Sequence, residues 1–486
     1  MHTFLTNTSQ KKIKLFNFLL EANQWQTMET ITKYLKVSNK MVLIYIEELT
    51  ELFSDFKERI VLKNDRNQRF CIEKQEDFPV YNIYLHYFKM SYNYQLIDFM
   101  YKNPGKSLKD FADEQFSSVS TVFRYGKLLE PYFNRYALKF HVFKLELEGS
   151  ETALRSFYYY FYWNSTRNGN WPFGIQEEEI DSYVITFENQ FQLSLTALQR
   201  RSFAYWLAII LERSSLFHVK PTEEVQQIAQ ADAALQEITK WAGQCQLALS
   251  KEEQIFLYRV IHAFGVIDGH PQLEAANAAA HQLHQSVSYR AVLTLSKAIK
   301  QTFAYQIDLS DMELLFNFIA FHDRSDFLWG NPDVFFHRSH LETIKKQNTK
   351  VSEIFTTFLN NLSQLAAPDV RKLCQNQEQL QVNYYYVLDY YQLFVKWLQP
   401  IRILIQDDQN HTHRLWLMKK IEAFLGGAYP LQFFDYQATL EEVDLVISNY
   451  YLDTQDKPLI LMKTIPTKRN WQELEQVLFT IISTQR

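Results

Sequence analysis

Asn39 and Lys40 with Tyr45, and Ser117, Ser120, Thr121, Arg124 and Lys127, set amide, hydroxyl, ammonium and guanidinium groups at helix-surface spacing. An arginine can hold guanine through two hydrogen bonds, while serine and lysine suit phosphate oxygens. This chemistry points to nucleic acid. Catalysis has no comparable signal. The chain has no Gly-rich loop ending in Gly-Lys-Ser/Thr, no G-x-G-x-x-G after a strand and no G-x-S-x-G elbow. Asp407 and Asp408 with His411 and His413 share one loop and read as a solvated turn. We therefore expect no catalytic residue, metal or cofactor, and no enzyme.

Two similar arrangements position those groups. In the first, an amphipathic helix runs through Ile13, Leu15, Phe16, Phe18, Leu19 and Leu20. Thr27 then opens a short helix, Lys36-Val37-Ser38 turns the chain, and Ser38 caps a longer helix carrying Met41, Val42, Ile44, Tyr45, Leu49 and Phe53. Ile60 to Ile72 alternates around Asn64-Asp65-Arg66-Asn67, a hairpin pattern. In the second, a long aromatic helix from Ile83 to Met100 stops at Asn103-Pro104-Gly105. Ser107 caps the next helix, Phe116-Ser117-Ser118 makes the turn, and a helix from Val119 to Phe133 points Val122, Leu128 and Leu129 inward. Leu138 to Leu147 then alternates. Helix, turn, helix and hairpin twice over is a tandem winged helix-turn-helix, and it predicts a double-stranded DNA partner.

Charge and composition bound the remainder. Residues 1–75 carry 12 basic and 9 acidic residues, a net +3, where the whole chain carries −5. That modest bias predicts binding that relies on geometry or dimerisation. A length of 486 residues suits roughly three to five domains of ~100–150 residues. Only 11 Gly and 12 Pro argue for a mainly α chain with little disorder. Cys71, Cys245 and Cys374 lack any paired spacing, so neither a disulfide framework nor a zinc site is expected. With no leader and no apolar run of ~18 residues, the expectation is a cytoplasmic protein that does not enter a membrane.

From about 150 to 395 the pattern is helical, with helices expected around 177–191, 196–216, 222–245, 251–268, 273–286, 288–304, 310–321, 339–364 and 366–397. The stretches AYWLAIILERSSLFHVK and LLFNFIAFHDRSDFLWG repeat an apolar helix that runs into a basic-polar stretch with a histidine, consistent with a duplicated bundle. Ile401–Ile405, Pro430–Phe434, Val443–Ser448 and Pro458–Met462 then read as strands. With helices at Leu415–Leu425 and Trp471–Ile482 between and after them, they predict a small parallel α/β sheet.

This order of parts resembles the Mga/AtxA group of virulence regulators, which carry phosphotransferase-regulation domains (PRDs). Leu147-Glu148-Gly149-Ser150-Glu151 running into Arg155 resembles the join between the second wing and the helical region in that group. The resemblance implies winged units over 1–75 and 76–150, PRD-like bundles over 151–285 and 286–398, and over 399–486 a domain similar to a phosphotransferase-system IIB component. It implies an oligomeric transcriptional regulator, a homodimer or larger. It also implies control by phosphorylation of PRD histidines, with the phosphocarrier HPr as a partner. His218 and His322 are the leading acceptors, beside Arg213 and Arg324, with His262 and His270 behind them. A neutral imidazole accepts a phosphoryl group and gains a strong negative charge. The loop Gln406–His411 lacks the phosphorylated cysteine of IIB components, so the last domain is expected to be inactive and to serve oligomerisation. The alternatives are an RNA-binding antiterminator, which would carry a β-rich module in place of paired winged helices, and a non-enzymatic adaptor.

Overall fold

A computed structural model describes residues 5–484 apart from 23, 66, 329–348, 375–377 and 435–436. Arg66 of the first hairpin, Trp329-Gly330 and the first part of the helix expected over 339–364 therefore lie outside the described residues. The chain divides into two compact units. One comprises residues 1–221, 237–260 and 327–337, and the other 222–236, 261–326 and 338–486.

The first unit begins with α1 (Asn7–Ala22), β1 (Gln26–Thr27), α2 (Met28–Leu35), α3 (Asn39–Ser54), β2 (Ile60–Asn64) and β3 (Arg69–Lys74). Both expected caps form. The Thr27 hydroxyl accepts from the Thr30 amide at 3.2 Å and Ser38 from the Met41 amide at 3.4 Å. Between the two helices Lys36 turns the chain at φ 54°. β2 and β3 pair antiparallel, Leu62 opposite Ile72, with β1 on the far side of β3. Asp65 organises the hairpin tip. Its carboxylate accepts from the Asn67 and Arg69 amides, both at 2.9 Å, and these bonds hold it below the usual carboxylate range.

The second winged unit is α4 (Tyr81–Lys89), α5 (Tyr92–Lys102), α6 (Leu108–Glu114), α7 (Val119–Asn134), β4 (Lys139–His141) and β5 (Glu146–Glu148). The single helix expected from Ile83 to Met100 is two. Ser91 is extended, its hydroxyl donates to the Phe88 carbonyl at 2.7 Å and accepts from the Tyr94 amide at 3.2 Å, closing one helix and capping the next. Leu128 also departs from expectation. Val122, Gly126, Leu129 and Phe133 form the buried stripe of α7, and Leu128 falls off it into solvent. Gly126 has a steric reason: a Cβ there would sit 2.8 Å from Val142 Cγ1 of the wing.

Next come α8 (Glu151–Thr166), α9 (Glu177–Phe191) and α10 (Ala197–Ser214). Their core is aromatic, with Tyr159 stacked on Trp206 at 4.3 Å and Phe157 edge-on to Phe133 at 5.2 Å. Arg155 of α8 is fully buried. It donates to Glu151 at 2.8 Å, to both carboxylate oxygens of Glu253 at 2.5 and 2.9 Å, and to the Phe217 carbonyl at 3.2 Å. Arg213 of α10 forks onto the same Glu151 at 2.7 and 2.8 Å.

The remaining helices are α11 (Glu223–Ala231), α12 (Ala234–Gln244), α13 (Lys251–Ala263), α14 (Pro271–Leu283), α15 (Val287–Phe303), α16 (Met312–Phe327), α17 (Thr349–Leu365), α18 (Pro368–Cys374), α19 (Glu378–Tyr390) and α20 (Leu393–Trp397). The helix expected over 222–245 is split where the Asp232 carboxylate accepts from the Ala234 amide at 2.9 Å. Of that expected over 366–397, the described residues form α18, α19 and α20, with a turn at Tyr391-Gln392 before the last. The second unit ends in β6 (Ile401–Ile405), α21 (His411–Leu425), β7 (Leu431–Phe434), β8 (Leu445–Ser448), β9 (Leu459–Leu461) and α22 (Lys468–Thr484). The sheet is parallel throughout, in the order β7-β6-β8-β9. All four residues of β8 are buried, as a central parallel strand requires. Among the described residues no helix is long and apolar enough to cross a membrane.

Removing Arg155 tests the ionic cluster. Arg155→Ala strands the buried Glu253 carboxylate and should lower unfolding stability by about 3–5 kcal/mol, whereas the paired change Arg155→Met with Glu253→Leu should recover much of that loss. Urea titration of the three proteins checks it.

Candidate nucleic-acid interface

On α3 the first turn carries the polar groups. Asn39 and Lys40 are exposed, while Leu43 and Glu47 continue the outer face. Tyr45 does not join them. It is 3% exposed and packs in the core of the first winged unit, and burial pushes its phenol up. The helical phase decides this: Val42, Tyr45, Ile46 and Leu49 form one inward stripe. Lys36 is exposed on the left-handed turn immediately before α3 and belongs with Asn39 and Lys40. By sequence it reads as a turn residue alone. The basic residue just before a capped helix was the available signal.

On α7, Ser120, Arg124 and Lys127 are exposed and spaced i, i+4, i+7, so they form one outward stripe. Ser117 and Thr121 are half-buried beside it. The hydroxyls are already engaged: Ser118 lies 3.0 Å from Ser120 Oγ and 2.8 Å from Thr121 Oγ1. Lys127 pairs with Glu130 at 2.6 Å, a solvent-screened surface pair. Arg124 lies over the Tyr125 ring at 5.7 Å and forms no ion pair among the described residues. Phe116, in the turn at φ 48°, is 99% exposed. The wing packs against this helix through Phe143, stacked on Phe123 at 4.7 Å.

The four histidines separate by accessibility. His218 is exposed. His270 is half-buried at the start of α14, its amide 3.3 Å from Glu274. His262 is buried, 3.7 Å from the equally buried Asp232 carboxylate. His322 is fully buried, with Nδ1 2.7 Å from the Phe318 carbonyl and Nε2 2.9 Å from the Tyr384 hydroxyl. A carbonyl only accepts, so Nδ1 carries the proton and Tyr384 donates to Nε2. Cys374 Sγ lies 3.3 Å from the same hydroxyl. Burial drives His322 down to about 4. The rings of His322 and His262 are thus closed off from solvent, where His218 is exposed and His270 half-buried. The two arginines are also engaged. Arg213 is held by Glu151, and Arg324 donates to the Ala263 carbonyl at 2.6 Å.

In the α/β domain Asp407 lies 2.6 Å from His413 Nδ1, and Asp408 accepts from Asn449. His413 Nε2 sits 2.8 Å from the Thr464 carbonyl. These groups are occupied with one another, and no cluster suited to a metal occurs among the described residues.

Two family models match the chain. Residues 6–66 match the M protein trans-acting positive regulator (MGA) HTH domain, and residues 76–162 the Mga helix-turn-helix domain. The chain is similar to the capsule synthesis positive regulator AcpB of Bacillus anthracis, 19% identical over 495 residues that cover 96% of this chain and 98% of that protein. AcpA, a capsule synthesis positive regulator of the same organism, is 20% identical over 43% of each chain. A putative trans-acting regulator of Streptococcus pneumoniae is 21% identical over 36% of this chain and 34% of its own.

The buried imidazole predicts a pH dependence. Unfolded histidine takes up a proton near pH 6.5 and His322 in the fold only near 4, so the unfolded state binds more protons between those values and stability is lost as the pH is lowered through them. The contribution should reach about 3 kcal/mol at the acid end of that window. Urea unfolding of wild type and His322→Gln from pH 7 to pH 4 should show a flatter dependence in the variant.

Proposed function

We propose that this chain is a Mga/AtxA-like transcriptional regulator that docks α3 and α7 into successive major grooves of duplex DNA. The observation that carries this reading is the outward stripe of Ser120, Arg124 and Lys127 on a helix with its own wing, preceded by a second winged unit presenting Lys36, Asn39 and Lys40. The capped first turn of each helix is where groove-docked helices meet base edges. Ser117 and Thr121 then supply hydroxyls to the flanking phosphates. The positive-regulator names of the relatives favour activation over repression, and the role is that of a cytoplasmic regulator rather than an enzyme.

Basic charge is limited, so two units per chain and self-association into a dimer or larger assembly raise the effective concentration of each contact. The parallel sheet supports an IIB-like last domain, without the cysteine that would make it a phosphoryl carrier. Phosphotransferase control fits His218 best, because it is the exposed member of the four. His270 is second. A phosphoryl group there adds about −1.5 to −2 charges at neutral pH, beside a segment tied down through the Phe217 carbonyl.

A mobility-shift titration in graded salt tests the DNA reading. Arg124→Ala with Lys127→Ala should weaken duplex binding and lower the salt slope by up to about 2. Unchanged affinity and slope would exclude α7 as a phosphate-contacting helix, and preference for a structured RNA hairpin would favour the antiterminator. For the switch, His218→Asp should shift the monomer–oligomer equilibrium in sedimentation, with His218→Ala behaving differently. Identical profiles, and no phosphate received from HPr in vitro, would leave His218 an ordinary surface residue.

A further inference from the structure

Beside the second wing lies a cleft that the DNA reading does not use. About 660 Å³ of space opens between wing residues 143–147, the loop 104–107 leading into α6, and the end of α10 at Arg213, Leu216 and Phe217. Clefts that hold small molecules span roughly 300–1,000 Å³. The floor is apolar and buried, formed by Met100, Leu145, Leu147 and Leu154. At the rim, Phe143, Leu216 and Phe217 are 66%, 59% and 39% exposed. Three large apolar side chains left in water around one opening mark a surface that gains by being covered.

The charges around that opening are unequal. Lys106 and Lys144 are both exposed, and neither forms an ion pair among the described residues. Asp110 feels Lys106 but is engaged in the Ser107 cap, and Arg213 is neutralised by Glu151. Glu146 is the one carboxylate in the lining. We propose that this cleft binds an amphipathic monoanion, a carboxylate carrying an apolar chain, with its charged end between the two lysine ammonium groups. A wholly polar anion would leave the floor and rim wet, and a neutral hydrocarbon would leave the ammonium groups unmatched. The inference concerns binding to the protein alone and stands whether or not α7 reads DNA. Its occupant would touch the joint of the second winged unit, because the Phe143 carbonyl accepts from the Leu108 amide at 3.0 Å while its ring stacks on α7.

Displacement of anilinonaphthalene sulfonate from the full chain tests this. Decanoate should displace the probe at about tenfold lower concentration than decanol, the difference expected of one charge-assisted contact. Lys106→Ala with Lys144→Ala should abolish that preference, and Leu216→Trp, which fills the mouth, should abolish the decanoate-displaceable signal. All three positions are exposed, so the variants should keep the wild-type circular dichroism. Equal displacement by acid and alcohol, a preference that survives loss of both lysines, or a displaceable signal unchanged by Leu216→Trp would each overturn the proposal.

Discussion

Arg155 is the point on which the first unit turns. Its guanidinium is wholly out of solvent and joins three separate stretches of chain: Glu151 at the start of α8, Glu253 on α13, and the Phe217 carbonyl just past α10. With Arg213 on Glu151, two positive and two negative charges close on themselves. Burying four charges is unfavourable unless each finds partners in good geometry, and a well-packed apolar set would be about as stable. What the charged set adds is direction. Each hydrogen bond accepts one angle and one distance, so α8, which leaves the second wing after only two residues, is held in one position against α10.

That constraint reaches both candidate functional surfaces of the unit. The wing is attached to α7 through Phe143 and Phe123, and the close approach of Val142 to Gly126 leaves no room for a side chain there. The outward stripe of α7 is thus presented from a rigid support. His218 follows directly on the residue whose carbonyl Arg155 holds. Charge placed on it would act beside a fixed anchor rather than on a loose tail.

His322 shows the opposite use of a histidine. It sits in an apolar aromatic setting with Phe321 and Tyr384, and its two nitrogens are satisfied by one acceptor and one donor. A neutral ring fits that pair of partners, and burial away from solvent disfavours an imidazolium there. Burial and hydrogen bonding agree, and the ring serves packing. Two histidines in similar sequence settings near an arginine, His218 past the end of α10 and His322 within α16, thus have different surroundings.

Local chemistry determined a good part of this protein. Thr27, Ser38 and Ser107 start their helices because a side-chain oxygen meets amides that the helix cannot, and those bonds lie within three residues of the cap. The apolar runs after residue 400 became a parallel sheet, continuously apolar and buried in the central strands β6 and β8 and partly exposed in the edge strands β7 and β9. The order of elements was legible for the same reason. Questions of facing were not. Tyr45 and Leu128 were placed on the wrong sides of their helices because adjacent residues differ by about 100° around the axis, and only the packed neighbours fix which of two plausible stripes is buried. The break at Ser91 depended on a hydroxyl choosing a local bond within an otherwise helical run. The partners of Arg155, 62 and 98 residues away, and the sealing of His322 by Tyr384 are long-range facts. No spacing in the chain encodes them, because they exist only once distant helices have met.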